Sequence, residues 1–192
     1  TEIIKDVFLE EAVSNFRFLV DDYDFCRSKS EKWYILKYES SKVTLAVYND
    51  PRCHELDVAI GLKGDKNKRT YDLNIVLEAI FGQGHNKGLG VPPDGVEGIR
   101  NQIVQLAELV RDNYKLFLEG DTESYKNLES TELKMGQRGM AQYRNEVKKR
   151  AGEAFQSGDF AMALRLYESI SEYLGESESE KLKEICKQIR SE

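Results

Sequence analysis

Hydrophobic and polar residues alternate through three segments near the start of the chain. A period of two residues predicts β-strands that bury one face. The predicted strands are 31–39, 42–48 and 54–61. Ser40-Ser41 is predicted to be a two-residue hairpin connection, and Asn49-Asp50-Pro51-Arg52 a turn in which proline presets the backbone. Glu39 then lies opposite Lys42, and Tyr38 opposite Val43.

This pairing divides the side chains of the sheet between two faces. The residues predicted to form the core are Tyr34, Leu36, Tyr38, Val43, Leu45, Val47, Leu56, Val58 and Ile60. The other face is mixed in polarity, and Trp33, Ile35, Ala46 and Tyr48 cluster on it. We therefore predict a protein-contact surface that contains Trp33, Ile35 and Tyr48.

A different spacing, close to 3.6 residues, predicts helices on either side of these strands. One long helix is predicted over 3–22, and a second over 73–81 with Asp72 as its cap. Asp94 and Glu97 form a predicted capping box. The following helix places apolar residues on one stripe, which we expect to cover the sheet: Val96, Ile99, Ile103, Leu106, Val110, Tyr114 and Phe117.

The chain reads as helical after Gly120-Asp121, with predicted segments 122–134, 140–157, 159–174 and 177–190. Breaks are predicted at Gly136, Gly139, Gly158 and Gly175. The predicted fold class is therefore α+β: a small antiparallel sheet of about three strands packed by helices, followed by an all-α helical hairpin region. The composition changes over 119–140, so we predict an α+β domain at 1–118 and a helical region at 119–192.

Composition restricts the class of protein. The three cysteines are odd in number and widely spaced, which argues against a disulfide framework and favours the cytoplasm. No apolar run approaches the roughly 20 residues that span a bilayer. The net charge of −6 disfavours nucleic acid as a partner. Residues 134–150 are basic and 168–180 are acidic, and both stretches are interpreted as solvated helix faces. Docking of a ligand or partner is the alternative for the basic stretch.

No familiar catalytic or metal-binding pattern is present, so neither a cofactor nor a metal is predicted. The glycine-rich segment 82–90 lacks the strand and the spacing of a phosphate-binding loop and is interpreted as a connector. Cys53-His54 and the distant His85 lack metal-ligand spacing. The run Asp21, Asp22 and Asp24 lacks the ligand loop of an EF-hand.

Residues 151–170 predict two short helices that meet at Gly158-Asp159. Their order of small and aromatic residues resembles a tetratricopeptide repeat: Ala151, Ala154, Phe155, Gly158, Phe160, Ala163, Tyr167 and Ile170. The hairpin region extends over about 140–190, with residues 177–190 as a covering third helix. Such repeats are interaction scaffolds, so Phe155, Phe160 and Tyr167 are predicted contact residues. A single repeat, however, more often packs against its own protein or a dimer mate.

A second resemblance covers about 70 residues near the N-terminus. The residues that carry it are the run from Phe16 to Phe25, the strand Leu36-Lys-Tyr-Glu-Ser40, and the segments 43–48 and 52–61. This pattern is similar to a group of small bacterial proteins, some of which resemble immunity proteins encoded beside secreted toxins. The resemblance implies a fold unit and transfers no active site.

Together these features predict a non-catalytic, cytoplasmic protein-binding protein, with toxin antagonism as its specific activity. A self-associating adaptor that uses the helical hairpin, such as a homodimer, is the alternative. An enzyme assembled from Arg52, His54 and Glu55 near the strand turn is a third hypothesis. A pocket with perturbed proton affinities at these side chains would favour it.

Overall fold

The computed structural model describes residues 2–29, 32–84 and 92–189 and confirms an α+β fold. The strands are β1 (Cys26–Ser28), β2 (Ile35–Glu39), β3 (Val43–Asn49) and β4 (Leu56–Leu62). The helices are α1 (Glu2–Asn15), α2 (Phe18–Tyr23), α3 (Leu73–Phe81), α4 (Gly95–Asn113), α5 (Lys115–Leu118), α6 (Thr122–Gln156), α7 (Phe160–Glu168) and α8 (Glu176–Ile189). A 3₁₀ turn, Ser171–Tyr173, follows α7.

The four strands form one antiparallel sheet in the order β1-β2-β3-β4. The prediction of about three strands missed β1, which has only three residues and pairs with the C-terminal end of β2. On the other edge, Tyr71 forms a single bridge to Ile60 of β4 through two backbone hydrogen bonds of 2.9 and 2.8 Å. One edge of the sheet is therefore a strand of three residues, and the other edge is bordered by a single bridge.

The predicted register of the first hairpin is wrong by two positions. Glu39 lies opposite Thr44, and Tyr38 lies opposite Leu45. The cause is Ser40, whose hydroxyl oxygen accepts the amides of Lys42 (3.3 Å) and Val43 (3.0 Å) and so moves the tip of the turn to Ser41-Lys42. Because the shift is even, every side chain keeps its predicted face.

Helices cover one face of this sheet. α1 and α4 pack against each other, and they contact β2 and β4 respectively. The predicted core residues on this face are all buried except Tyr34, which is half-buried. The stripe of α4 from Ile99 to Val110 is also buried, as are Tyr114 and Phe117 beyond it, which confirms that this helix supplies the core. Val96, at its start, is only half-buried.

The predicted long N-terminal helix is instead two helices, α1 and α2. Phe16 and Phe18 are both buried and their rings stack at 6.1 Å. Residues two apart lie on different sides of a continuous helix, so the break at residues 16–17 allows both rings to enter the core. α2 then ends at Asp24, whose backbone is left-handed with φ of 55°.

The predictions at two helix starts had different outcomes. Asp72 caps α3 as predicted, since its carboxylate accepts the Ile75 amide at 3.0 Å. Asp94 precedes α4, but its side chain makes no cap hydrogen bond, so the predicted capping box is wrong. The Glu97 carboxylate instead lies 3.9 Å from Arg100 on the same helix.

The predicted breaks at Gly136 and Gly139 are absent, since α6 runs continuously from Thr122 to Gln156. The chain divides into two compact units, Thr1–Glu132 and Leu133–Glu192, and the division lies inside this helix. The predicted domain boundary at 118 stays a prediction. Within the described chain, no helix has the length and apolar character required to cross a membrane.

Candidate functional site on the open sheet face

The face of the sheet opposite the core carries side chains of very different size. We call it the open face. Its residues form three cross-strand rows: Ile35, Tyr48 and Asp57; Lys37, Ala46 and Ala59; and Glu39, Thr44 and Gly61. The first row holds the predicted contact pair Ile35 and Tyr48, which are direct neighbours across β2 and β3. The other two rows have small residues at their centre.

These small residues form the floor of a groove of about 490 Å³, which we call the trough. Thr44, Ala46, Ala59 and Gly61 line its middle, and Ile35 and Tyr48 line one end. Residues 62–70 form a wall, because this loop folds back against β4. Gly61 permits the approach, since any Cβ at this position would clash with the Arg69 carbonyl oxygen. A glycine in a strand is thus explained by close backbone contact.

The loop that forms this wall is ordered by Asp65. Its carboxylate accepts the amides of Asn67 and Arg69, both at 3.1 Å. These hydrogen bonds lower the pKa of the Asp65 carboxyl. Lys68, inside this turn, has a left-handed backbone with φ of 50°. The wall is therefore a defined loop that presents Lys63, Lys68 and Arg69 to the trough.

The trough is basic, although the chain as a whole carries a net charge of −6. Among the described residues, five basic side chains and one acidic one, Asp65, line it: Lys29, Lys37, Lys63, Lys68 and Arg69. Glu39 beside it holds Lys37 at 2.6 Å and Lys63 at 3.1 Å. These two lysines lower the pKa of the Glu39 carboxyl. Arg69 pairs with Glu129, so the excess positive charge belongs to the lysines.

The first row ends at a second cavity, of about 470 Å³, with an acidic character. Asp57, Glu55 and Asp50 line it together with Tyr34, Tyr48 and Arg52. Asp50 is neutralised by Arg52 at 2.7 Å, and hydrogen bonds from Arg52 hold the pKa of the Asp50 carboxyl at about 2. Asp57 has no such ion pair among those in the described chain.

Burial raises the pKa of the Asp57 carboxyl to about 6, against the opposing effect of two backbone amides. One carboxylate oxygen accepts these amides, from Val58 at 2.7 Å and from Leu73 at 3.3 Å. The Leu73 amide belongs to the first turn of α3, so the carboxylate joins β4 to the helix that follows it. The open face thus has a basic end and an acidic end, with Ile35 and Tyr48 between them.

Trp33 differs from its predicted position. It lies in the turn before β2, not in the strand, and its ring meets that of Tyr34 edge-on at 5.8 Å. It lines a neighbouring groove of about 650 Å³, in which Leu9 and Val13 of α1 also take part. Ile35 lines both this groove and the trough. Trp33 is thus beside the open face and half-buried.

The predicted contact residues of the helical hairpin have another environment. Phe155 and Phe160 are half-buried and their rings meet edge-on at 5.9 Å. Tyr167 is only 1% exposed, in a cluster with Ala151, Ala163 and Ile185. Phe155 and Phe160 pack against this cluster from outside. These three aromatic residues are therefore used, wholly or in part, inside their own unit, while Tyr143 and Tyr173 of the same region are exposed.

The residues of the third hypothesis come only partly together. Arg52 and Glu55 line the cavity at Asp57. His54 is held beside the buried Asn49, with 3.3 Å between the ring Nδ1 and the amide oxygen. No group of His, Cys, Asp and Glu suited to a metal ion occurs within residues 2–29, 32–84 and 92–189. His85 and most of the 82–90 segment lie outside the described residues.

Sequence reasoning missed the residues that make the trough a groove. Lys63, Lys68 and Arg69 follow the last predicted strand, and nothing in their spacing indicates that this part of the chain returns over Gly61. Asp57 carried a usable signal, since it stands opposite Tyr48 on the contact face of a strand. An acidic residue there predicts either solvent exposure or a specific partner. No family model, no curated protein and no solved structure matches this chain.

Proposed function

We propose that this chain is a non-catalytic protein-binding protein that binds its partner with the open face of the sheet. The observation that carries the proposal is the trough, where Ile35 and Tyr48 border a floor of small residues on a face that the core does not use. A groove of this kind accepts side chains and backbone of another polypeptide. Tyrosine is also enriched at protein interfaces, because its ring is apolar and its hydroxyl is polar.

The charged groups near the trough support binding better than proton transfer. The Glu39 carboxylate is held by two lysines, and its lowered pKa keeps it ionised at neutral pH. The resemblance of the N-terminal 70 residues to immunity-like bacterial proteins gives the specific form of the proposal, antagonism of a toxin. Cys26, Cys53 and Cys186 are all free thiols, which supports a cytoplasmic location.

Affinity capture from the native host tests the proposal. Three proteins are compared: the wild type, an Ile35→Ala/Tyr48→Ala variant of the open face, and a Phe155→Ala/Phe160→Ala variant of the hairpin. We expect a protein partner on the wild type and the hairpin variant, and its loss from the open-face variant. For antagonism, expression of the captured partner alone should stop growth, and co-expression of this chain should restore it.

Loss of the partner from the hairpin variant alone would contradict the proposal and favour the adaptor that uses its helical hairpin. In that case light scattering of residues 1–192 should show a mass above that of a monomer. We expect all three proteins to fold, because Ile35 and Tyr48 are only half-buried and Phe155 and Phe160 lie outside the hairpin core. Circular dichroism verifies this.

A second candidate function, acid–base catalysis, is favoured by one observation. The cavity beside Tyr48 contains Asp57, a carboxyl whose pKa of about 6 suits proton exchange near neutral pH. Carboxyl carbon chemical shifts, followed by NMR as the pH is varied, measure this value directly. A pKa in the ordinary aspartate range, about 3.9, would remove this candidate.

A further inference from the structure

The inference concerns the chemistry of the partner and rests on the proposed function. We infer that the trough binds an extended, acidic segment of the partner protein, which lies along β3 with its carboxylates over Lys37, Lys63 and Lys68. An extended segment is indicated by the shape of the groove. Its floor follows one strand from Tyr48 through Ala46 to Thr44, and it is walled by β2 side chains and by the 62–70 loop.

The floor of the trough consists of small residues only. Ala46 faces Ala59 directly, and Thr44 faces Gly61. Ala46 has only 6% of its surface exposed, although it lies on the face opposite the core. The long side chains around it therefore stand well above the floor. Alternate side chains of an extended segment would point down to this floor, and the others would point away from it, at the level of the long side chains that stand above the floor.

The walls supply charge complementarity to an acidic segment. Lys37 and Lys63 share a single carboxylate, that of Glu39, and both side chains remain more than two-fifths exposed. One carboxylate neutralises at most one of two ammonium groups, so this triad keeps a net positive charge. Lys29 and Lys68 line the same groove, where Asp65 offsets only one of them, so the net charge of the trough remains positive. Positive potential of this kind speeds association with acidic partners and fixes their orientation.

The acidic end of the open face sets the register of the segment. Asp57 and Glu55 repel a carboxylate beyond Tyr48. The acidic residues of the segment must therefore lie over the two rows centred on Ala46 and Thr44. An apolar residue of the segment then meets Ile35 and Tyr48. A nucleic acid strand fits this arrangement poorly, because its phosphates are evenly spaced and would also meet Glu55 and Asp57 at the acidic end, where the peptide segment has an apolar residue.

Fluorescence anisotropy with labelled peptides tests the inference on the full chain. The probe is an alternating Glu-Val peptide of about eight residues, similar in length to a strand. Its controls are the Gln-Val peptide of equal length and a labelled oligothymidylate. We expect the Gln-Val peptide to bind roughly tenfold more weakly, and the affinity for Glu-Val to fall as salt rises from about 50 to about 500 mM.

Protein variants locate the binding. The Lys37→Gln/Lys63→Gln variant should bind the Glu-Val peptide roughly tenfold more weakly, since it lacks the two charges beside the floor. Lys149→Gln is the control, because Lys149 is exposed on α6 in the other unit and should have no effect. A charge reversal, Lys37→Glu/Lys63→Glu, should transfer preference to a Lys-Val peptide, and circular dichroism verifies that both double variants fold.

Equal affinity for the Glu-Val and Gln-Val peptides would overturn the inference, as would an unchanged affinity of the Lys37→Gln/Lys63→Gln variant. Tighter binding of the oligothymidylate than of the Glu-Val peptide would also overturn it, in favour of nucleic acid. The proposed function fails separately, when the native partner remains bound to the Ile35→Ala/Tyr48→Ala protein. If that variant loses the native partner but the wild type does not bind the Glu-Val peptide, the proposed function stands and only the inference of an acidic segment is refuted.

Discussion

The open face of the sheet and the helical hairpin are both rich in aromatic residues, but they use them differently. In the hairpin, Tyr167 is buried, and Phe155 and Phe160 pack around its cluster. On the sheet, Tyr48 and Ile35 stand at the end of a groove whose floor has nothing larger than threonine. The hairpin thus buries Tyr167 within its own unit and half-buries Phe155 and Phe160 around it, whereas the aromatic residue of the sheet borders a groove.

Aromatic residues in a sequence pattern can therefore indicate either helix packing or an accessible sheet face. Small and aromatic residues at helical spacing indicate where helices approach each other, and this approach alone accounts for the buried Tyr167. Alternation along a strand indicates which face lies opposite the core, and side chains there are not required to fill the main core. Aromatic residues on the second kind of surface are the better candidates for recognition.

The largest expected effect is that of Tyr167→Ala, which should destabilise the second unit by about 3–5 kcal/mol because it opens a cavity in its core. Tyr48→Ala should cost no more than about 1 kcal/mol, since the side chain is only half-buried. Hydrogen exchange of the α7 and α8 amides measures the loss of stability in Tyr167→Ala. Urea unfolding followed by Trp33 emission measures that in Tyr48→Ala. Equal costs would remove the distinction between the two surfaces.

Gly61→Ala should have the next largest effect, a destabilisation of about 1–3 kcal/mol, because the new Cβ forces the Arg69 backbone away from β4. The same movement should open the wall of the trough. Trp33, the only tryptophan in the chain, reports the unfolding midpoint in urea. A neutral substitution would mean that the loop does not rest on the strand, and the trough would then lack a wall.

Asp57→Asn should make stability depend less on pH. Because burial raises the pKa of Asp57, the folded state binds the proton more tightly than the unfolded state. The resulting stabilisation is complete below the unfolded pKa, near ~3.9, and is lost as the pH rises through about 6. The variant should therefore gain up to about 3 kcal/mol relative to the wild type between about pH 4 and about pH 7.5.

Urea unfolding at several pH values checks this expectation, with Asp65→Asn as the matched control. The pKa of Asp65 is lowered, so its effect should have the opposite sign and appear at lower pH. A pH-independent difference between the wild type and Asp57→Asn would show that the carboxyl is not buried as described. The acidic end of the open face would then be an ordinary solvated surface.

Gly136→Ala should have the smallest effect, a stabilisation of about 0.5–1 kcal/mol, because Gly136 lies inside α6 with open space around its Cα. Alanine reduces the freedom of the unfolded chain and meets no neighbour. Thermal unfolding followed by circular dichroism measures the gain. A loss of stability would indicate a real break in α6 at this point, as the sequence predicts.

Much of the fold follows from the local pattern. Alternation in 31–61 correctly divided the sheet into two faces, because an even error in register leaves each side chain on its side. The error itself came from Ser40, since a side-chain hydrogen bond to a turn amide is invisible to a hydrophobic pattern. β1 was missed for a related reason: Cys-Arg-Ser has neither the length nor the alternation of a strand.

The missed elements have two physical causes, the small cost of a glycine inside a long helix and contact with distant chain. Gly136 and Gly139 each weaken a helix by only about 1 kcal/mol, and α6 remains continuous through both. The trough depends on the return of the 62–70 loop over Gly61, a contact that local propensity does not encode. The sequence therefore predicted Ile35 and Tyr48 at the candidate site, but not the lysines beside them or the burial of Asp57.

The bordering elements of the sheet have a consequence for its behaviour at high concentration. β1 offers only three residues of backbone, and β4 is engaged by Tyr71 at Ile60 and by the Asp57 carboxylate, which holds the first turn of α3. Strands that are very short or already bonded are poor templates for a strand from another molecule. The sheet can thus keep its open face accessible while its edges resist the addition of further strands.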